Sequence, residues 1–155
     1  MRRIVYIVIA ALALAVSCGR EEDTVGDATL PYGSYWFAGQ QVPVASVLLS
    51  EGPQLLLKVS PLEDCLSATT YAVIGVHTAL LGTKVDVEYK FHNDDYIFVY
   101  EDPERYFSHL RPLKSGHIYL NRTAAGLVEV DVDVVLYDGT PFRYSHSSLC
   151  ASFAE

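Results

Sequence analysis

Four groups of side chains in this sequence are able to do chemistry: cysteines at 18, 65 and 150, five histidines, a file of carboxylates at 129, 131 and 133, and eleven tyrosines. The histidines at 77, 92, 109, 117 and 146 are scattered. None stands at the i, i+4 spacing that puts two imidazoles on one zinc ion, and no G-x-S-x-G turn presents a nucleophilic serine. Gly82-Thr83-Lys84 looks like the end of a phosphate loop, but Gly75 is misplaced as its first glycine. Lys84 also opens a strand pattern where such a loop must open a helix. No catalytic set, metal set or cofactor is therefore expected, and the chain reads as a non-enzyme.

Glu129, Asp131 and Asp133 are spaced to share one strand face, where three carboxylates could hold calcium. The acids-then-glycine pattern of a calcium loop is missing. Alternate acids on a solvated strand are ordinary, and Lys84 or Lys90 on a neighbouring strand would offset their repulsion. The tyrosines are more suggestive. Tyr96, Phe98 and Tyr100 lie on one face of a strand whose other face carries Ile97 and Val99, Tyr119 stands between His117 and Asn121, and Tyr137 follows Asp133 and Val135. A ring with a hydroxyl suits a sugar, a peptide or a partner surface, so Tyr96, Phe98, Tyr100, His117, Tyr119 and Tyr137 form the candidate binding surface. Tyrosine is also simply a good strand residue.

The elements that must position these groups are strands. Apolar Thr83, Val85, Val87, Tyr89 and Phe91 alternate with charged residues, and Val128, Val130, Val132, Val134 and Leu136 alternate with three acids. That period of two marks half-buried antiparallel strands, valines inward. Further strands are expected over 34–38, 42–49, 54–60, 70–77, 95–101, 116–122 and 141–147. Turn chemistry separates them at His92-Asn93-Asp94, Ala124-Ala125-Gly126 and Asp138-Gly139. One short helix is expected over 103–110, with Asp102 as cap, Pro103 at the first position and Pro112 closing it. The fold class is all-β: an antiparallel meander forming a two-sheet sandwich or a lipocalin-like barrel.

Ahead of that domain, Met1-Arg2-Arg3 runs into thirteen apolar residues, 4–16. That is too short to span a membrane and has the shape of a signal peptide. Ala15-Val16-Ser17-Cys18 resembles the lipobox of bacterial lipoproteins, with Ala15 where leucine is usual. The resemblance implies cleavage after residue 17 and attachment of lipid to Cys18. Removing 17 residues would leave 155 − 17 = 138, with 11 − 2 = 9 basic and 19 acidic side chains, a formal charge of 9 − 19 = −10. Such a surface repels phosphate backbones, so no nucleic acid is expected as a partner. Anchoring would come from the acyl chains.

Residues 18–29, with Glu21-Glu22-Asp23 close behind the cysteine, read as an acidic flexible tether before a domain over 30–155. The acidic run resembles the signal that sends lipoproteins of Bacteroidota-type bacteria to the cell surface. Asp23-Thr24-Val25 resembles their O-glycosylation motif, which implies sugar on Thr24. The order of short strands, the Leu81-Gly82-Thr83 lead-in and the late Asp138-Gly139 hairpin are similar in pattern to small β-rich surface lipoproteins of those bacteria. That likeness supplies no site.

With Cys18 taken by lipid, Cys65 and Cys150 remain, either as a disulfide, common in exported proteins, or as two buried free thiols. A bridge would contribute about 4–5 kcal/mol by restricting the unfolded chain. The resulting expectation is an outer-membrane, lipid-anchored, surface-exposed protein that binds an extracellular glycan, apolar molecule or protein. A structural accessory of an envelope complex is the alternative, and a hydrolytic enzyme without a recognisable motif comes third.

Overall fold

Strands form almost everywhere the sequence alternates. The structure is a computed structural model that describes residues 31–90, 93–104, 106–107 and 112–153. One sheet is built from β1 (Ser34–Phe37), β2 (Gln40–Pro43), β6 (Val85–Asp86), β9 (Ser115–Arg122), β10 (Val128–Val135) and β11 (Pro141–Leu149), in the order β2-β1-β11-β10-β9-β6. The other is built from β3 (Ser46–Ser50), β4 (Gln54–Ser60), β5 (Tyr71–His77), β7 (Tyr96–Asp102), β8 (Tyr106–Phe107) and β12 (Ser152–Phe153), in the order β12-β3-β4-β5-β7-β8. Pairing is antiparallel except between β12 and β3. The sheets end in separate edge strands, so the domain is a sandwich and not a closed barrel. Three of those edges, β6, β8 and β12, are two residues long and the fourth, β2, ends in Pro43, which leaves little free edge for another chain to extend.

One core lies between the sheets. Val128, Val130, Val132 and Val134 of β10 point into it, as do Leu55, Leu57 and Val59 of β4. Near β1 and β7 it becomes aromatic: Phe142 stacks on Tyr35 with centroids 5.3 Å apart and meets Phe98 edge-on at 4.9 Å, and Phe37 stacks on Tyr100 at 4.1 Å. These contacts join the two sheets.

The meander holds only in part. Hairpins link β3-β4-β5 and β9-β10-β11, but β1 pairs with β11, its inward Tyr35 and Phe37 opposite Tyr144 and Phe142. Alternation states which face is buried and not which strand lies alongside, so that long-range pairing has no local signal. The β9–β10 and β10–β11 hairpins close with two turns of the same hydrogen-bond pattern, with Gly126 at φ +80 and Gly139 at φ +92 supplying the left-handed position. Ala38 at φ 52 and Gly39 make a two-residue turn between β1 and β2, and the single strand expected over 42–49 is broken at Val44-Ala45 into β2 and β3, which belong to different sheets.

Two expectations are corrected. No helix begins at Pro103: Asp102 Oδ1 accepts the Glu104 N–H at 3.0 Å, and the chain turns back so that Tyr106 pairs with Asp102. An aspartate followed by proline caps a helix or starts a tight turn with the same hydrogen bond, and here β7 offers an edge to return to. The rest of the expected helix, 108–110, lies outside the described residues. The strand expected over 83–91 is also short. Its neighbour β9 starts at Ser115, so after Val87 N–H bonds Gly116 O at 2.9 Å the chain runs past its partner's end. The Tyr96 hydroxyl holds the Glu88 backbone there instead, and Tyr89 is exposed.

Candidate functional surface

The expected aromatic surface divides in two. Tyr96, Phe98 and Tyr100 are 6%, 8% and 1% exposed, so they are core residues and not a binding platform. The first sheet covers the face that sequence alternation left without a partner. The outward face of β7 carries Ile97 and Val99, both half-buried.

His117, Tyr119 and Tyr137 do lie on one side, the outer face of the first sheet. Alternation places His117 and Tyr119 of β9 beside Glu129, Asp131 and Asp133 of β10 and sends Tyr137 outward just past the end of β10. The three acids each have their own partner. His117 Nε2 is 3.0 Å from Asp131 Oδ2, Asn121 and Tyr119 each donate to Glu129 Oε2 at 3.0 Å, and Arg143 Nε of β11 is 3.2 Å from Asp133 Oδ2. Lys90 pairs with Glu88 and not, as expected, with these acids. Hydrogen bonds from Asn121 and Tyr119 hold the Glu129 carboxyl below its ordinary range, and the carboxylate in turn pushes the Tyr119 phenol up.

Sequence reasoning missed the continuation of this face. One row crosses five strands through Gln41, Trp36, Arg143, Asp133 and His117, and Asp86 of β6 extends it. Trp36, the only tryptophan, is 48% exposed. Its signal was available: it sits on the outward parity between inward Tyr35 and Phe37. The arrangement is a charged ladder of paired donors and acceptors with exposed rings at Trp36 and Tyr137. Side chains held by one another meet a ligand with little ordering cost.

Two other histidines serve the backbone. His77 Nδ1 accepts Ala79 N–H and His146 Nδ1 accepts Ser148 N–H, each at 3.2 Å. His92 and His109 lie outside the described residues, as do Cys18 and Thr24. Among the described residues no group of three or more His, Cys, Asp or Glu is placed to hold a metal ion, and no helix is long and apolar enough to cross a membrane.

Cys65 and Cys150 are unbridged. Cys65 is buried in the β4–β5 connection, its Sγ directed at Lys58 O at 3.5 Å, whereas Cys150 is exposed between β11 and β12. Burial pushes the Cys65 thiol up, which lowers its share of the reactive thiolate. Iodoacetamide should therefore label Cys150 at least ~10-fold faster than Cys65 in peptide mass maps of the native protein. Equal rates would mean that Cys65 is open to solvent.

Comparison with protein-family models, with curated proteins and with solved structures finds no match.

Proposed function

We propose that this is a lipid-anchored cell-envelope protein, without enzymatic activity, whose outer β2-β1-β11-β10-β9 face binds an extracellular glycan chain. The observation that carries the binding reading is the half-exposed Trp36 in the same cross-strand row as Arg143, Asp133 and His117. An exposed ring suits the C–H face of a sugar, and charged hydrogen bonds to its hydroxyls are the stronger kind. A filled aromatic core speaks against an apolar molecule held inside the sandwich. The anchor reading rests on the charged start, the apolar run and Cys18.

Each half has its own test. In a host that processes lipoproteins, the wild type should have the mass of a chain acylated at Cys18 and fractionate with membranes, while Cys18→Ala stays unacylated. A wild type that keeps Met1 sinks the anchor. On a glycan panel, Trp36→Ala should weaken binding roughly 30-fold, about 2 kcal/mol for a central aromatic contact. Unchanged binding by that variant sinks the outer face as the site.

A second reading, an accessory subunit of an envelope complex, has one observation in its favour. The outer face of the second sheet is apolar, with half-buried Leu48, Leu56, Val73, Ile97 and Val99, and Lys58 Nζ lies 4.3 Å from the centre of the Tyr71 ring. Such a face suits contact with a protein.

A further inference from the structure

The outward side of the second sheet is apolar where that of the first sheet is charged. Two cross-strand rows run over β3, β4, β5 and β7: Leu48, Lys58, Val73 and Val99, then Ser50, Leu56, Gly75 and Ile97. All but Gly75 are half-buried. Leu56 lies over Gly75, where an added Cβ would stand 2.4 Å from Leu56 Cδ2, and so fills the gap a glycine leaves. Lys58 carries the one charge in these rows, its Nζ 4.3 Å from the centre of the Tyr71 ring. Glu101, farther along β7 on the same side, is buried. Ser46, on the same side of β3 as Leu48, donates to Leu62 O, which brings the β4–β5 connection with its exposed Leu62 and Leu66 to the margin of this surface.

We propose that this face lies on the surface of a zwitterionic lipid layer, the one that holds the anchor, and that it turns the Trp36 row of the opposite face toward the medium. The proposal rests on the reading of Cys18 as the site of lipid attachment. Aliphatic side chains beside one lysine and one tyrosine suit the boundary of a bilayer: a lysine stem lies on apolar surface while its ammonium reaches a phosphate, and a tyrosine ring sits at headgroup level. Glu63 and Asp64, exposed on the β4–β5 connection, meet the cationic part of such a headgroup. The acids of β10 are then turned away from the lipid phosphates.

The anchor makes a weak contact sufficient. Pro31, where the described chain begins, stands 31 − 18 = 13 residues after Cys18. That length reaches at most about 45 Å when extended, so the domain cannot leave the surface, and a tether of this kind sets an effective concentration on the order of mM. A second copy of the chain fits less well. Four strands about 4.8 Å apart and up to about seven residues long present about 450 Å², against about 800 Å² per partner in a stable complex.

The test uses the full processed chain in phosphatidylcholine vesicles brominated on the acyl chains close to the headgroup, with tryptophan emission as the readout. Trp36, the only tryptophan, lies on the opposite face and should keep its emission. Val73→Trp in a Trp36→Phe background should lose at least half of its emission, because its ring would sit about 5–10 Å into the boundary between headgroups and acyl chains. Adding Lys58→Glu to that variant should restore most of it, by setting a carboxylate against the phosphates. Circular dichroism checks each variant's fold, and Leu48→Trp replaces Val73→Trp if the latter does not fold. Full emission from the outward tryptophan, or equal losses from it and Trp36, overturns the docking, and full emission together with crosslinking into dimers assigns the face to a second copy. Flotation separates the two readings: a chain that does not float with the vesicles sinks the anchor and the docking with it, whereas a chain that floats with its outward tryptophan unquenched sinks the docking alone.

Discussion

Gly116→Ala is expected to destabilise the protein by about 3–5 kcal/mol, combining backbone strain with overpacking. Gly116 has φ +119 and pairs with Val134 in the β9–β10 ladder. A Cβ there would stand 2.1 Å from Asp133 O and 2.7 Å from Val134 Cα, both backbone atoms that no rotamer change can move aside. The same residue's carbonyl takes the Val87 N–H, so displacing it also loosens β6. Gly139→Ala is the matched control. Gly139 has φ +92 with no atom within 4 Å of an added Cβ, so only the strain of a left-handed alanine applies, about 1–2 kcal/mol. Urea midpoints of the two variants measure the difference. Equal midpoints would show that the close approach of β9 to β10 is absent and the assigned register wrong.

Phe142→Ala should cost a comparable amount, about 3–5 kcal/mol for removing a buried phenyl. Phe142 is 0% exposed and touches rings on both sheets, Tyr35 from the first and Phe98 and Tyr100 from the second. Its loss opens a cavity where the sheets are joined, and ring pairs of this kind contribute beyond their buried area. Phe142→Leu should recover most of the deficit. Circular dichroism in denaturant is a suitable readout because Trp36, the only tryptophan, is already half-exposed in the folded state. A loss below about 1 kcal/mol in the alanine variant would mean that the two sheets do not meet through this ring, since buried phenyl deletions cost several times more. Against a total stability of about 5–15 kcal/mol, either variant leaves a small domain near its folding limit.

Several features were legible in advance because they are local. The valines of 128–134 alternate with acids over a full strand, and they lie inward with the acids outward. Asp138-Gly139 and Ala125-Gly126 mark turns because only glycine enters the left-handed region without strain, and both turns form. The strand 54–60 has the expected bounds. His117, Tyr119 and Asn121 share the polar-containing face of their strand, and that is the face turned away from the core.

The failures share a different character. β11 runs on to Leu149 because the register shifts between Val128 and Val130, and the extra residue turns Leu149 inward out of phase with Phe142, Tyr144 and His146. A period-two reading stops at such a bulge. At Asp102-Pro103 one local hydrogen bond serves both a helix cap and a tight turn, and the available edge of β7 selected the turn. The aromatic face of β7 looked open because sequence shows a strand's two faces without showing what covers either.

By itself, then, the sequence determined the all-β class, the inward valines, the turn positions and an acidic surface, since each follows from backbone conformation or side-chain parity within a few residues. Only the tertiary structure decided sandwich over barrel, the pairing of β1 with β11, the burial of Tyr96, Phe98 and Tyr100, the separation of Cys65 from Cys150, and the assembly of Trp36 with Arg143, Asp133 and His117. Those depend on which faces pack together. Apolar burial is non-directional, so it drives strands to pair without encoding the partner, and contacts between residues far apart in the chain leave no periodic trace in it.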